Sequence, residues 1–494
     1  MAAIRFRIAA VDCFERPVTL RLPFRFGAAT VDEAPQAFVR VQLIAGDGTL
    51  AHGWSAELMI PKWFDKDPSR SHARNVDDLR ASLAAAATAY VADASPASAF
   101  GHASRQYRAL LAAGAREGRN ALTSSYGPAL VDRAVLDALG HLASMPFSAL
   151  VRTNAVGLDA ALTPDLGAVD LGAFVATLAP QASIAARHTV GLLDPLVDAL
   201  DPRVEPKRAP EVHDRLPVSL EAVIAAYGHR DFKLKLCGRV DEDIARLARI
   251  AAVLDRLPEY RVTLDGNEQF AHAGDVRELL SRLCSEPQLG RLASTLAYLE
   301  QPLHRDVTLD TDVREAARTL PLLIDEADGT LDAFPRARAH GYAGVSSKSC
   351  KGLYKSLLNA ARVAHWNGRG DEPRAFLSGE DLTCQAGLSV QQDLALVGLL
   401  GLRDVERNGH HYVDGFAGQH AGAAERGAFL AAHPDLYRAD GDNVRLRITG
   451  GRIGLGSLGG DGFASGAQPD AATLAPLGTP KLAPAASHRT VNPA

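Results

Sequence analysis

The order of apolar and polar positions divides the chain into stretches of different period. Over residues 4–57 apolar residues alternate with polar ones, as in Thr19-Leu-Arg-Leu and Phe38-Val-Arg-Val-Gln-Leu-Ile. A side-chain period of two predicts strands, and Asp47-Gly48 between two of them predicts a tight hairpin turn. Residues 23–30 are apolar and glycine-bearing without a period, and read as a loop, either an ordinary connection or a lid. Residues 77–150 are alanine-rich with helical spacing, clearest over 131–143. Residues 164–217 are less regular and include a first barrel strand over 183–192.

From residue 219 the rhythm changes to alternating helix and strand. Helical patterns lead in turn into Phe232-Lys233-Leu234-Lys235-Leu236, Tyr260 to Asp265, Leu296 to Glu300, Leu322 to Asp325, Gly344 to Lys348 and Ala375 to Glu380. Strand ends recur roughly every 23 to 35 positions, near the average of about 31 for eight βα units in some 250 residues. The fold expected is α/β, a TIM-like (β/α) barrel over residues 156–440 behind an α+β unit over 1–155. An open doubly wound sheet is the alternative. An extended segment at 444–449 is expected to lead back to the N-terminal sheet, within a return segment over 441–463. Residues 464–494, rich in Ala, Pro, Gly and Ser, are expected to form a disordered tail.

Composition removes several function classes. The chain has 494 residues, 47% apolar and 22% charged, the balance of a soluble globular protein. Lys and Arg number 53 against 58 Asp and Glu, so no field favours nucleic acid or an anionic membrane. Five scattered cysteines with no Cys-x-x-Cys pair argue against a disulfide framework or zinc knuckle, and fit a reducing cytoplasm. No signal peptide or membrane span is visible. A homo-oligomer is compatible with the sequence but not readable from it.

The candidate chemistry lies at the strand ends. In a parallel barrel all carboxyl ends open on one face, so Asp265, Glu300 and Asp325 are expected to meet around one hard cation, Mg²⁺ by donor type with Mn²⁺ as a substitute. Asn267 shares the face of Asp265 by the period of two and would orient a ligand or water. Lys235 precedes this cluster by one strand and Lys348 follows it, which puts an amine on either side of a bound small carboxylate. Lys233 and Lys235 point the same way along their strand, and two adjacent ammonium groups make one easier to deprotonate. Glu326 is an alternative third ligand, though a regular strand would turn it to the opposite side.

Taken together, Lys233-Leu-Lys235, Asp265-Gly-Asn267, Glu300-Gln-Pro302, Asp325-Glu326 and Ser-Ser-Lys348 resemble, in this order, the mandelate racemase and muconate lactonizing enzyme family of the enolase superfamily. The resemblance implies an N-terminal capping domain whose loop near Phe24 and Phe26 closes over the substrate. It implies Asp265, Glu300 and Asp325 as Mg²⁺ ligands, Lys235 and Lys348 as acid/base residues and Lys233 as an electrostatic helper. The implied activity is abstraction of a proton α to a carboxylate through an enediolate, by a racemase or epimerase, cycloisomerase or syn-dehydratase, that is, an isomerase or lyase. The seventh strand ends in Gly379-Glu380-Asp381 without histidine, which favours lysine chemistry and makes Glu380 and Asp381 candidates for substrate contact or support.

Gly454-Leu-Gly456-Ser-Leu-Gly459 matches a dinucleotide fingerprint, and a nucleotide-dependent oxidoreductase is the alternative function. His410-His411 reads as a solvated surface loop. His188, on the first barrel strand, reads as a structurally bonded histidine, with reach into the pocket as the alternative.

Overall fold

A computed structural model of the chain describes residues 3–26, 29–198 and 215–480. The N-terminal sheet is an antiparallel meander of β1 (Phe6–Phe26), β2 (Ala29–Ala45) and β3 (Leu50–Leu58). Asp47-Gly48 turns β2 into β3 as the sequence requires: Gly48 has φ 89° and the Asp47 carboxylate accepts from Thr49 N at 2.9 Å. Residues 23–26 and 29–30 differ from expectation; 27–28 lie outside the described residues. β1 and β2 stay paired as far as Phe26 and Ala29 after a register shift between Thr19 and Phe24, so the described part of this stretch is a two-stranded ribbon. The Phe26 side chain lies outside the described residues.

Three helices follow, α1 (His72–Ala92), α2 (Ala99–Arg116) and α3 (Ala121–Ala143). Each starts on a side-chain cap, Ser71, Ser98 and Asn120 accepting from the third residue beyond. α3 is buried from Leu122 to Gly140, apart from Pro128, because β2 and β3, α1 and α2, and the barrel segment 349–351 all pack around it. Its approach to β3 is close enough that a Cβ on Gly53 would lie 2.1 Å from Ala138 N. Buried Arg133 on α3 links the two units, pairing with Glu57 at 3.2 Å and donating to Ser349 at 3.1 Å.

One buried acid on this helix has a measurable cost. The Tyr90 hydroxyl donates to Asp132 at 2.7 Å, and burial pushes that carboxyl up to about 7. An acid that holds its proton more tightly when folded loses stability as pH rises from its unfolded pKa to its folded one. Asp132→Asn is therefore expected to unfold later than the wild type. The gap should widen between about pH 5 and pH 8 to roughly 2–4 kcal/mol, read by urea unfolding at both values.

Eight parallel strands form the barrel: β4 (Ser183–Val190), β5 (Asp231–Lys235), β6 (Arg261–Asp265), β7 (Leu296–Glu300), β8 (Leu322–Ile324), β9 (Gly344–Ser347), β10 (Phe376–Gly379) and β11 (Asp404–Arg407). β11 pairs with β4 from Asp404↔Ala185 to Arg407↔His188, closing the ring and removing the open-sheet alternative. Along β5, Phe232 and Leu234 join the apolar layer beneath the outer helices while Lys233 and Lys235 face inward.

The C-terminal stretch departs from the sequence reading. Residues Asn443–Leu446 pair with Tyr437–Asp440 in a hairpin rather than returning to the N-terminal sheet, and Arg452–Gly454 runs antiparallel on β4. The described part of the expected tail, 464–480, is ordered: Ala475–Pro476 pairs with β1 at Glu15 and Phe14. Just before it, Phe463 stacks on Phe147 with ring centroids 3.9 Å apart, and Asp470 N donates to Glu425 at 3.3 Å. Small residues with little to bury still let backbone come close, which composition alone does not reveal. Residues 481–494 lie outside the described residues. No described helix is long and apolar enough to cross a membrane.

Candidate active site

The barrel interior is polar. At its lower level the Arg187 guanidinium donates to Gly379 O at 2.7 Å and pairs with Asp404 and Glu380. Tyr298 OH also reaches Glu380 at 2.9 Å. Above it Lys233 Nζ lies among four carboxylates, Asp265 at 2.9 Å, Glu300 at 2.7 Å, Glu380 at 2.7 Å and Glu406 at 3.0 Å. Burial favours the neutral amine, but these four charges outweigh it and hold Lys233 well above the ordinary lysine range. The expectation that adjacent lysines ease deprotonation fails for Lys233, because acids outnumber amines around it. Glu380 thus sits inside the barrel, bridging Arg187 and Lys233.

At the mouth the two other lysines stand on different carboxylates. Lys235 Nζ is 2.6 Å from Asp265 Oδ2, and Lys348 Nζ is 2.6 Å from Asp325 Oδ2. Asp325 also takes Lys351 at 3.2 Å and the Ser346 hydroxyl. Burial raises the Asp325 carboxyl, yet Lys348 and Lys351 prevail and hold it far below its usual range; Asp325 in turn holds Lys348 above its own. Asp265 is likewise lowered by Lys233 and Lys235 against burial.

Glu300 is different. Burial pushes it well above its ordinary value, with Asp265, Glu380 and Asp325 adding repulsion that Lys233 only partly offsets. Its Oε1 has no hydrogen-bond partner although fully buried. Such an oxygen costs free energy unless a proton or cation meets it. Asp265, Glu300 and Asp325 interact electrostatically and are the oxygen donors a hard divalent ion takes, although among the described residues their oxygens do not gather within 4.8 Å of one another.

The cap supplies the roof. A cavity of about 320 Å³ is lined by Phe24, Ile60 and Trp63 from the cap and by Lys235, Asp265 and Lys348 from the barrel. Phe24 packs on Tyr412 with ring centroids 4.2 Å apart, and Lys348 Nζ lies 4.3 Å from the centre of the Trp63 ring. Arg305 fastens the 60–66 loop over the mouth, donating to Trp63 O and Phe64 O at 2.8 Å each while paired with Glu268.

The remaining expected residues are placed less simply. Asn267 lies past the end of β6 with φ 42°; its N donates to Asp265 at 2.8 Å and its Oδ1, facing no partner, borders the cavity. Glu326 also follows its strand, so the alternation that would turn it away no longer applies. It reaches Lys66 at 3.2 Å and Asn267 at 3.4 Å on the same rim. Asp381 borders the cavity but is committed to Arg407 at 2.9 Å and to the N–H groups of Cys384 and Asn408.

Sequence reasoning missed Glu406 and Asn408 on and after β11, and Trp63 and Lys66 on the cap loop. The count of barrel strands was one short, a signal that would have exposed β11. The glycine motif at 454–459 does not form a dinucleotide site: Gly456–Gly459 is a single 3₁₀ turn with no helix after it to receive a pyrophosphate.

No protein-family model matches the chain, and no curated protein matches its sequence. Solved structures resemble it. An enolase from Bradyrhizobium, complexed with magnesium and mandelic acid, is 14% identical over 92% of this chain and 96% of its own, with a TM-score of 0.54. A dipeptide epimerase from Enterococcus faecalis V583, complexed with Mg and L-Leu-L-Tyr, is 12% identical over 83% and 92%, at 0.53. A mandelate racemase/muconate lactonizing protein from Herpetosiphon aurantiacus is 16% identical over 92% and 98%, at 0.55. At such identities the likeness establishes the fold alone, a closed parallel βα barrel with a separate antiparallel N-terminal sheet.

Proposed function

We propose that this chain is a Mg²⁺-dependent enzyme that removes a proton α to a carboxylate, an isomerase or lyase of the mandelate racemase and muconate lactonizing type with lysine acid/base groups. The observation that carries the reading is the pair Lys235 and Lys348, each set on its own carboxylate at one covered mouth, with the unpartnered Glu300 oxygen among the same acids. Asp265, Glu300 and Asp325 would hold the ion. When bound there, Mg²⁺ supplies the positive charge that a carboxylate needs as its α proton leaves.

The protein's own groups do the rest. Lys235 and Lys348 approach from different strands, so one takes the proton and the other returns it or steadies the developing charge. Lys348 is held in place by Asp325 and the Trp63 face, while Phe24, Ile60 and Trp63 keep water from the reacting centre. Lys233, clamped by four acids, serves as a fixed positive charge beneath the site rather than a base. The small carboxylates bound by structural neighbours, mandelic acid and a dipeptide, support this substrate class.

The test is α-proton exchange in D₂O, followed by NMR over amino acids, dipeptides and acid sugars. Exchange on at least one carboxylate, lost with EDTA and restored by Mg²⁺, is expected. Exchange that survives full metal removal would overturn the reading.

A further inference from the structure

Four histidines sit outside the barrel wall, away from the cavity just described. Arg187 and Thr189 turn inward, bonding Asp404 and Glu406, so His188 between them faces outward, which removes the alternative that it reaches the pocket. There it meets His229, which precedes β5, and His410, which follows β11; their ring centroids are 5.2 to 5.6 Å apart. β11, β4 and β5 are neighbours at the seam where the barrel closes. His410-His411 is therefore not a solvated surface loop: Gly409–Tyr412 is a helical turn with His411 buried and His410 half-buried.

The ring nitrogens are short of partners. His229 Nδ1 lies 3.0 Å from Ala186 O and must donate to it, which leaves Nε2 a bare lone pair in a fully buried ring. His188 Nδ1 and both nitrogens of His410 are also buried without a hydrogen-bond partner. One ligand atom from each of the three lies within 4.8 Å of the others. Burial lowers all three imidazoles, His229 to about 4, so each is neutral and able to donate a lone pair at neutral pH.

We propose that His188, His229 and His410 form a second metal site, for a borderline transition ion of the Zn²⁺ class. Three imidazoles without a carboxylate suit Zn²⁺, Co²⁺, Ni²⁺ or Cu²⁺ and not Mg²⁺. A tetrahedral ion with Zn–N near 2.0–2.1 Å sets its ligands about 3.3 Å apart, so small ring rotations complete the site and leave a fourth position for water. His410 and Tyr227 also border a separate pocket, apart from the barrel mouth. The nearby Arg407 is already neutralised by Asp381 and Asp393. The ion would pin β11, β4 and β5 together.

The untagged full-length chain, kept in excess Mg²⁺ to occupy the carboxylate site, is titrated with Co²⁺. One equivalent is expected to bind with visible d–d bands of nitrogen ligation, to be displaced by Zn²⁺, and to raise the melting temperature. His188→Gln and His410→Gln should each weaken binding by about tenfold or more, while Asp325→Asn leaves it unchanged. His410 is half-buried in a short turn, so its variant keeps the test open if His188→Gln does not fold. Absence of a nitrogen-ligated band, or binding that His410→Gln leaves intact, overturns the proposal.

Discussion

Lys348→Ala is expected to lower turnover about 10²–10⁴-fold, the range for loss of a positioned acid or base, with a smaller effect on KM. Lys235→Ala should do the same. The structure explains why these variants should still fold. Without Lys348, Asp325 keeps Lys351 and Ser346; without Lys235, Asp265 keeps Lys233 and the Asn267 N–H. Neither change strands a buried charge, the situation that makes breaking such pairs costly. On a substrate that is racemised, the variants should also differ in direction. Each should retain exchange of the enantiomer whose proton faces the remaining lysine and lose exchange of the other. Near-normal rates in both variants would remove the lysine assignment.

Glu300→Gln is expected to act with opposite signs on the free protein and on metal binding. Four acids crowd Lys233, and Glu300 is the one with an oxygen left over. Deleting its charge relieves repulsion while Asp265, Glu380 and Glu406 still hold the amine. The metal-free variant should therefore melt higher at about pH 8, by an amount on the order of 1–3 kcal/mol, the cost of an unsatisfied buried group. Mg²⁺ protection should disappear in the same variant. A site filled at about 100 times its Kd adds roughly 2.7 kcal/mol, and losing a ligand removes most of that. Melting curves of both proteins with and without Mg²⁺ separate the two effects. A metal-free variant less stable than the wild type would mean that Glu300 is a structural partner of Lys233 rather than an ion ligand.

What could be read in the sequence follows from how local each signal is. β5 announces itself because two lysines alternate with three apolar residues, and Asp265, Glu300 and Asp325 each end an apolar run. Period and position were enough to place these at their strand ends. β11 was missed because three of its four residues are charged, so a buried strand looks like a surface turn. Without it the βα rhythm indicated a barrel but not its closure, and Glu406 went unseen. Trp63 and Lys66 join the site across some two hundred positions or more, a distance no local pattern spans. His410-His411 looked solvated for a similar reason: the rings that cover it come from β4 and the residues before β5.

The pairing of β1 with residues 475–476 bears on how the protein is made. Ala97 bridges the outer edge of the N-terminal sheet at Phe6 and Val413 bridges it at Leu20, but the stretch between, at Phe14 and Glu15, gains its strand only when almost all of the described chain has followed it. An uncovered strand edge recruits strands from other molecules. Synthesis halted after the barrel but before this short strand should therefore yield a product that holds the lysines and acids of the barrel mouth yet clumps during folding.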